Sequence, residues 1–135
     1  MKIKTKLNIG VGLLFMMILL LSILSGWYIN QLKKDTNNIL KANYNTLQYS
    51  RNMLLALEEI NSDPLAFSVF EKHLKQQQEN VTEPGEKEST DNVAIHFKAL
   101  KKDSANLGLQ TSIRKDLAEL MQINMSAIEH KSTVE

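Results

Sequence analysis

The sequence contains no cysteine among its 135 residues, and glycine and proline are scarce, with five and two copies. Without cysteine the chain can form neither a disulfide nor a thiolate metal site, and it offers no cysteine nucleophile. The scarcity of glycine and proline leaves long stretches without a strong helix breaker. No charged residue occurs between Leu7 and Leu32. These absences favour a helical chain that includes a membrane-compatible segment.

An excess of charge of one sign is also absent, because 16 basic residues nearly balance 15 acidic ones and the net charge is +1. Proteins that bind nucleic acid need a basic face to neutralise phosphates, so we expect no nucleic-acid partner. The chain has no glycine-rich phosphate loop and no nucleophile elbow. His73, His96 and His130 lie on three different predicted helices without metal-ligand spacing. We therefore expect no metal, no cofactor and no enzymatic activity in this chain.

The uncharged run is long enough to cross a bilayer, which needs about 20 apolar residues in a helix. Three lysines precede the run without an acidic residue, whereas the two lysines that follow it stand beside Asp35. This excess of basic charge predicts a cytoplasmic N-terminus. We predict a cytoplasmic tail at 1–6, a transmembrane helix at 7–29 and an exported domain at 30–135. The residues expected to contact membrane lipid are Leu13, Leu14, Phe15, Leu19 and Leu20, with Trp27 and Tyr28 in the headgroup layer.

A cleaved signal peptide is the alternative interpretation of the same run. Signal peptides have an apolar region of about 7–15 residues followed by a cleavage site between small residues. The run here is longer, and its small residues at Ser22–Gly26 enclose Ile23 and Leu24. An uncleaved anchor is therefore the favoured interpretation.

Apolar side chains recur at helical spacing after Asn30, as in the seven-residue repeat of Ile113, Leu120 and Ala127. Turn-forming residues at 61–64, 82–85 and 103–108 interrupt this pattern. No segment alternates apolar and polar residues over the length of a strand. The predicted fold is all-α: a transmembrane helix that continues into an antiparallel four-helix bundle. The predicted bundle helices are 30–61, 64–81, 86–102 and 109–135.

Several long stretches carry a family resemblance. They are MKIKTKLNIGVGLLF at the start, then YINQLKKDTNNILKANYNTLQYSRNMLLALEE, NVTEPGEKE and IRKDLAELMQINMSAIEHKS. They resemble the N-terminal sensor region of bacterial membrane-bound sensor histidine kinases of the HAMP-containing type. The resemblance implies a periplasmic bundle anchored in the inner membrane and a role in two-component signal transduction. It implies no catalytic residue here, because the family's second span, HAMP domain and kinase core are not part of this chain.

Two classes of function remain open. The first is a sensor and signal-transmission module, most simply a homodimer, that responds to an unknown small-molecule or protein stimulus. The second is a stand-alone membrane-anchored helical protein that binds or scaffolds a partner through its bundle.

Three residues form a candidate ligand site. Tyr44 and Arg51 are seven residues apart beside the predicted core of the first bundle helix, and Arg114 flanks the core of the fourth. A guanidinium group matches the geometry of a carboxylate, so these residues could hold a small anion. The alternative is that they are solvated flank residues with buried stems.

A second set of residues predicts a dimer seam along the first bundle helix. Asn43 and Ser50 fall in a core position, where buried polar residues of coiled coils fix register and oligomeric state. Leu32 and Ile39 lie beside them and are too apolar to favour water. We expect Leu32, Ile39, Asn43 and Ser50 to meet a second copy of the chain.

Overall fold

The computed structural model describes residues 2–134, and the side chains as far as Thr133. It consists of four helices, and none of the described residues lies in a strand. The helices are α1 (Ile3–Glu58), α2 (Ala66–Gln78), α3 (Glu86–Leu100) and α4 (Leu107–Val134). The predicted all-α class is confirmed.

The chain divides into two structural units, and the first ends at Asn38. Every side chain from Lys2 to Asp35 is exposed, including the seven that we expect to contact lipid. The most apolar 18-residue window of α1 has a mean hydropathy of 2.5, and none of it is buried. A helix that is apolar on all sides and has no protein partner is suited to lipid rather than to water. Among the described helices α1 is the one that is long and apolar enough to span a membrane.

The second unit runs from Ile39 onward and is the helical bundle. An apolar core fills one half of it, between the C-terminal part of α1 and the other three helices. The rings of Phe70 and Phe97 stack at its centre, with 4.2 Å between their centroids. The largest fully buried apolar side chains are Phe70, Met53, Leu57, Leu100, Ile113, Leu117, Leu120 and Val93.

Local side-chain chemistry explains where the helices begin. Asp63 Oδ1 accepts a hydrogen bond from Leu65 N–H at 2.8 Å, which holds the chain in a turn beyond Pro64. Helix α2 therefore starts at Ala66, two residues after the predicted position. Asn106 Oδ1 accepts from Leu109 N–H at 3.1 Å, as an N-cap residue does. This cap lets α4 begin two residues before the predicted position.

Gly85 precedes α3 with a φ of 83°, the one positive φ in the part of the chain that the structure describes. Side chains other than glycine rarely adopt this left-handed conformation. The sharp reversal it permits brings the start of α3 back against the end of α2.

Candidate functional site

The bundle core changes from apolar to polar along its length, and the change occurs at the same level on all four helices. The fully buried side chains of α1 are polar at Asn43, Thr46 and Ser50 and apolar from Met53 onward. Those of α4 are apolar from Ile113 to Leu120 and polar at Asn124. Helices α2 and α3 change in the same way, on either side of the loop that joins them. We call the polar half the polar layer, and its fully or almost fully buried members are Asn43, Thr46, Ser50, Gln77, Glu86, Ser89, Thr90 and Asn124.

Glu86 lies at the centre of the polar layer and is completely buried. Its Oε2 accepts hydrogen bonds from the backbone N–H groups of Thr82 and Glu83, at 2.8 and 2.9 Å. This pair of bonds closes the α2–α3 loop onto the first turn of α3, and Gly85 makes that closure possible. The loop and the carboxylate are therefore a single local structure.

The other carboxylate oxygen of Glu86 joins three helices. Its Oε1 accepts from Thr46 Oγ1 at 2.8 Å, from Gln77 Nε2 at 2.9 Å and from Asn124 Nδ2 at 3.2 Å. These donors belong to α1, α2 and α4. One carboxylate thus connects every helix of the bundle.

Burial alone would raise the pKa of Glu86, since it removes the charged carboxylate from water. The two backbone donors and the Thr46 and Gln77 side chains oppose this effect, and the net result is a pKa below the usual range. No described lysine, arginine or histidine lies within ion-pairing distance of Glu86. Neutral donors therefore stabilise the negative charge.

Glu83 forms a second connection at the end of the bundle where the polar layer lies. Its Oε1 accepts from Asn43 Nδ2 at 3.0 Å and also pairs with the Lys131 ammonium group. The amide oxygen of Asn43 in turn accepts from Thr82 Oγ1 at 3.1 Å. The start of the bundle part of α1 and the last turns of α4 therefore meet on the carboxylate of a loop residue.

Asn80, the last member of this network, lies just after α2. Its Nδ2 donates to the backbone oxygen of Ala42 at 2.7 Å and to Thr46 Oγ1 at 3.0 Å. Because Ala42 and Thr46 are one turn apart on α1, Asn80 fixes the position of the loop along that helix.

Four buried polar atoms of the layer have no hydrogen-bond partner within residues 2–134. They are Ser50 Oγ, Gln77 Oε1, Thr90 Oγ1 and Asn124 Oδ1. The amides of Gln77 and Asn124 give their N–H groups to Glu86, and their oxygens remain as spare acceptors. Rotation of either amide would turn its oxygen towards the ionised carboxylate, so the orientations seen here are the favoured ones while Glu86 is charged.

The structure places the predicted ligand residues on the bundle surface. Tyr44 is 55% exposed, and Arg51 and Arg114 are exposed as well. None of the three makes a side-chain hydrogen bond or an ion pair in the described region. An anion site at these residues stays a prediction.

The predicted seam needs correction at two of its four positions. Asn43 and Ser50 are fully buried within a single chain, and the Asn43 amide is bonded to Glu83 and Thr82. These side chains are not free to pair with a second copy, because the α2–α3 loop covers α1 at this level. Leu32 is 56% exposed and Ile39 is half-buried, so a seam at these two residues stays a prediction.

Sequence reasoning missed Glu83 and Glu86 because the 82–86 segment looks like a simple helix break. A signal was present in the polar residues Asn43, Ser50 and Gln77, which occupy core positions of two predicted helices. Buried amides need hydrogen-bond partners, and the 82–86 segment supplies them for Asn43 and Gln77.

Comparison with protein-family models, with curated proteins and with solved structures finds no match to this chain.

Proposed function

We propose that this chain is a membrane-anchored sensor and signal-transmission module. In this proposal α1 crosses the membrane with its N-terminus in the cytoplasm, and the bundle lies on the other side. The long apolar stretch of α1 and the lysines that precede it support this arrangement. The resemblance to sensor histidine kinases supports a bacterial inner membrane, a homodimer and a two-component system as the setting of the module.

The observation that carries the proposal is the meeting of α1 and α4 at Glu83. Asn43 belongs to the helix that enters the bundle, and Lys131 belongs to the helix that leaves it. A movement of the α2–α3 loop would shift both contacts together. Small displacements of one helix against another are an established way to pass a signal.

The Glu86 carboxylate fixes the position of the α2–α3 loop from which this movement would start. It bonds to the loop through two backbone N–H groups and to α1, α2 and α4 through one side chain each. A stimulus that displaces the α2–α3 hairpin must strain or exchange some of these bonds. The unbonded hydroxyls of Ser50 and Thr90 and the spare amide oxygens of Gln77 and Asn124 supply donors and acceptors for a second bonding pattern. The layer therefore has the parts of a two-state element.

A membrane-anchored interaction or scaffold protein is the second candidate. It is favoured by exposed apolar side chains on α2 and the neighbouring part of α1. Leu55 is 53% exposed and Val69 is 42% exposed, and both line the groove between α1 and α2. Apolar groups that are grouped on a surface often mark a contact with another protein.

A chimeric receptor tests the sensor proposal. Residues 1–134 would be joined to the second span, HAMP domain and kinase core of a characterised sensor kinase, with a transcriptional reporter as the readout. The variant Glu83→Gln removes the ion pair with Lys131 and weakens the link between α1 and α4. A change of about 1 kcal/mol in that link corresponds to a shift of roughly 5-fold in a two-state equilibrium.

The matched control is Glu79→Gln, an exposed acidic residue outside the polar layer. We expect basal output to change several-fold in Glu83→Gln and to stay at the parent level in Glu79→Gln, at equal amounts of membrane protein. Equal outputs from both variants would contradict signal transmission through Glu83. Recovery of a stoichiometric protein partner that is lost in Leu55→Asp and Val69→Asp would instead support the scaffold.

A further inference from the structure

A groove of about 480 Å³ runs between α2 and α3, on the apolar half of the bundle. Leu74, Ala94 and Phe97 form its floor. Leu74 and Phe97 belong to the buried core, and the Phe97 ring stacks on Phe70 behind it. The floor is therefore apolar and continuous with the core.

The rim of the groove is strongly biased towards positive charge. Lys75 comes from α2, Lys98 and Lys101 come from the other side, and Glu71 is the single acidic residue. Lys101 pairs with Glu71 at 2.7 Å and stands over the Phe97 ring at 5.0 Å from its centroid. Lys75 and Lys98 form no ion pair with any described residue. Two unneutralised cations thus face one apolar slot from opposite helices.

We propose that this groove binds a small carboxylate that has an aromatic or aliphatic body. The body would rest on Phe97 and Leu74 and between the methylene stems of the lysines. The carboxylate would lie between the ammonium groups of Lys75 and Lys98. This inference concerns binding alone and stands independently of the proposed signalling role, although the hairpin that holds the groove also holds the Glu83 loop.

The dimensions of the groove select a small molecule over a protein. Its lining on α2 extends from Glu71 to Gln78, which is about 10 Å of helix at 1.5 Å per residue. A stable protein interface buries about 800 Å² on each partner and needs a longer surface. Sites for small ligands commonly have volumes of about 300–1,000 Å³.

A second groove of about 270 Å³, between α1 and α2, provides an internal contrast. Its lining includes Glu59 and Asp63 but no lysine or arginine. An anion would be repelled there, and so the charge of the lining distinguishes the two grooves. Of these two grooves, the one between α2 and α3 should be the one whose binding depends on the carboxylate.

Photolabelling of the full chain in phosphatidylcholine nanodiscs tests the proposal. The probe is 4-benzoylbenzoate, an aromatic carboxylate that forms a covalent bond on illumination, and the neutral comparison is 4-methylbenzophenone. We expect the carboxylate to label peptides from Ala66–Gln78 and Glu86–Leu100, and excess 1-naphthoate to reduce that labelling at least 5-fold. The neutral compound should label these peptides at least 5-fold less.

Two double variants complete the design. Lys75→Gln with Lys98→Gln removes the unpaired cations, and labelling of the groove should fall at least 5-fold. Lys102→Gln with Lys115→Gln removes two exposed lysines outside the groove, and labelling should remain at the parent level. Far-UV circular dichroism establishes that both are folded; a folded Lys75/Lys98 variant with undiminished labelling overturns the proposal. Labelling restricted to the apolar part of α1, or equal labelling by the neutral compound, overturns it too.

Discussion

Replacing Glu86 with alanine should destabilise the bundle by about 3–4 kcal/mol. The carboxylate accepts five hydrogen bonds, and each such bond contributes about 1 kcal/mol net. Water can reach the exposed Thr82 and rehydrate part of the loop, which reduces the total. The buried donors of Thr46, Gln77 and Asn124 have no such replacement, so their loss accounts for most of the effect.

Glutamine at position 86 should cost less, about 1–2 kcal/mol. Its amide oxygen can take the place of Oε2 and keep the two backbone bonds. Its NH2 group then faces Gln77 and Asn124, whose amides can rotate and present their spare oxygens as acceptors. The glutamine variant loses the additional strength that the negative charge gives to these hydrogen bonds.

The two variants should also differ from the parent protein in their pH dependence. The pKa of Glu86 is lowered in the folded state, so its ionised form stabilises the fold above the ordinary carboxyl pKa of 4.5. That contribution disappears as the pH falls below 4.5 and through the folded-state pKa. The difference between the parent protein and Glu86→Gln should therefore be largest near pH 7 and should shrink towards pH 3.

Hydrogen exchange of α3 amides in the full chain measures these effects without interference from the apolar stretch of α1. Each 1.4 kcal/mol corresponds to a tenfold change in the opening equilibrium, so Glu86→Ala should accelerate the slowest α3 amides by about 100- to 1,000-fold. Exposed Glu88→Ala, two residues later on α3, is the matched control and should change exchange less than 3-fold. Similar, small effects of alanine and glutamine at position 86 would refute the bonding pattern described here.

The remaining predictions concern the anchor, the core and activity. A periplasmic reporter fused after Thr133 should be active, because the lysines before the apolar run favour a cytoplasmic N-terminus; activity of a cytoplasmic reporter alone at that site would reverse the topology. Leu120→Asp should unfold the bundle, since an unpaired charge in a packed core costs at least about 3 kcal/mol, whereas Met125→Asp, 48% exposed in the parent, should retain the far-UV helical signal. The purified chain should not incorporate labelled phosphate from ATP, and incorporation would show that it carries a kinase activity of its own.

The helical class followed from the sequence because apolar spacing is a local property of each segment. The repeat of Ile113 and Leu120 identifies the buried face of α4 without knowledge of its neighbours. Helix ends were less accurate, since the turn at Asp63 and the cap at Asn106 depend on which of several polar side chains bonds to the backbone.

The polar layer was beyond sequence reasoning because it depends on contacts between distant segments. Asn43 and Glu83 are 40 residues apart, as are Thr46 and Glu86. Polar residues at core positions of α1 suggested either a second chain or a buried partner, and the sequence favoured the second chain. The position of the α2–α3 loop distinguishes a second chain from a buried partner, and the packing of the whole bundle determines that position.

The boundary between the apolar half and the polar half of the core limits how far a helix can slide along its own axis. If α4 slid by one turn, about 5.4 Å, Asn124 would move into the level occupied by Leu120 and leave Glu86 without one of its donors. A buried amide without partners costs roughly 1–3 kcal/mol. A slide of one turn in the opposite direction would instead carry the apolar Leu120 into the polar level. A slide by a whole turn is therefore disfavoured at every helix that crosses the boundary. Rotation or tilt of α4 about Asn124 keeps each level matched, and these are the motions that the bundle leaves open.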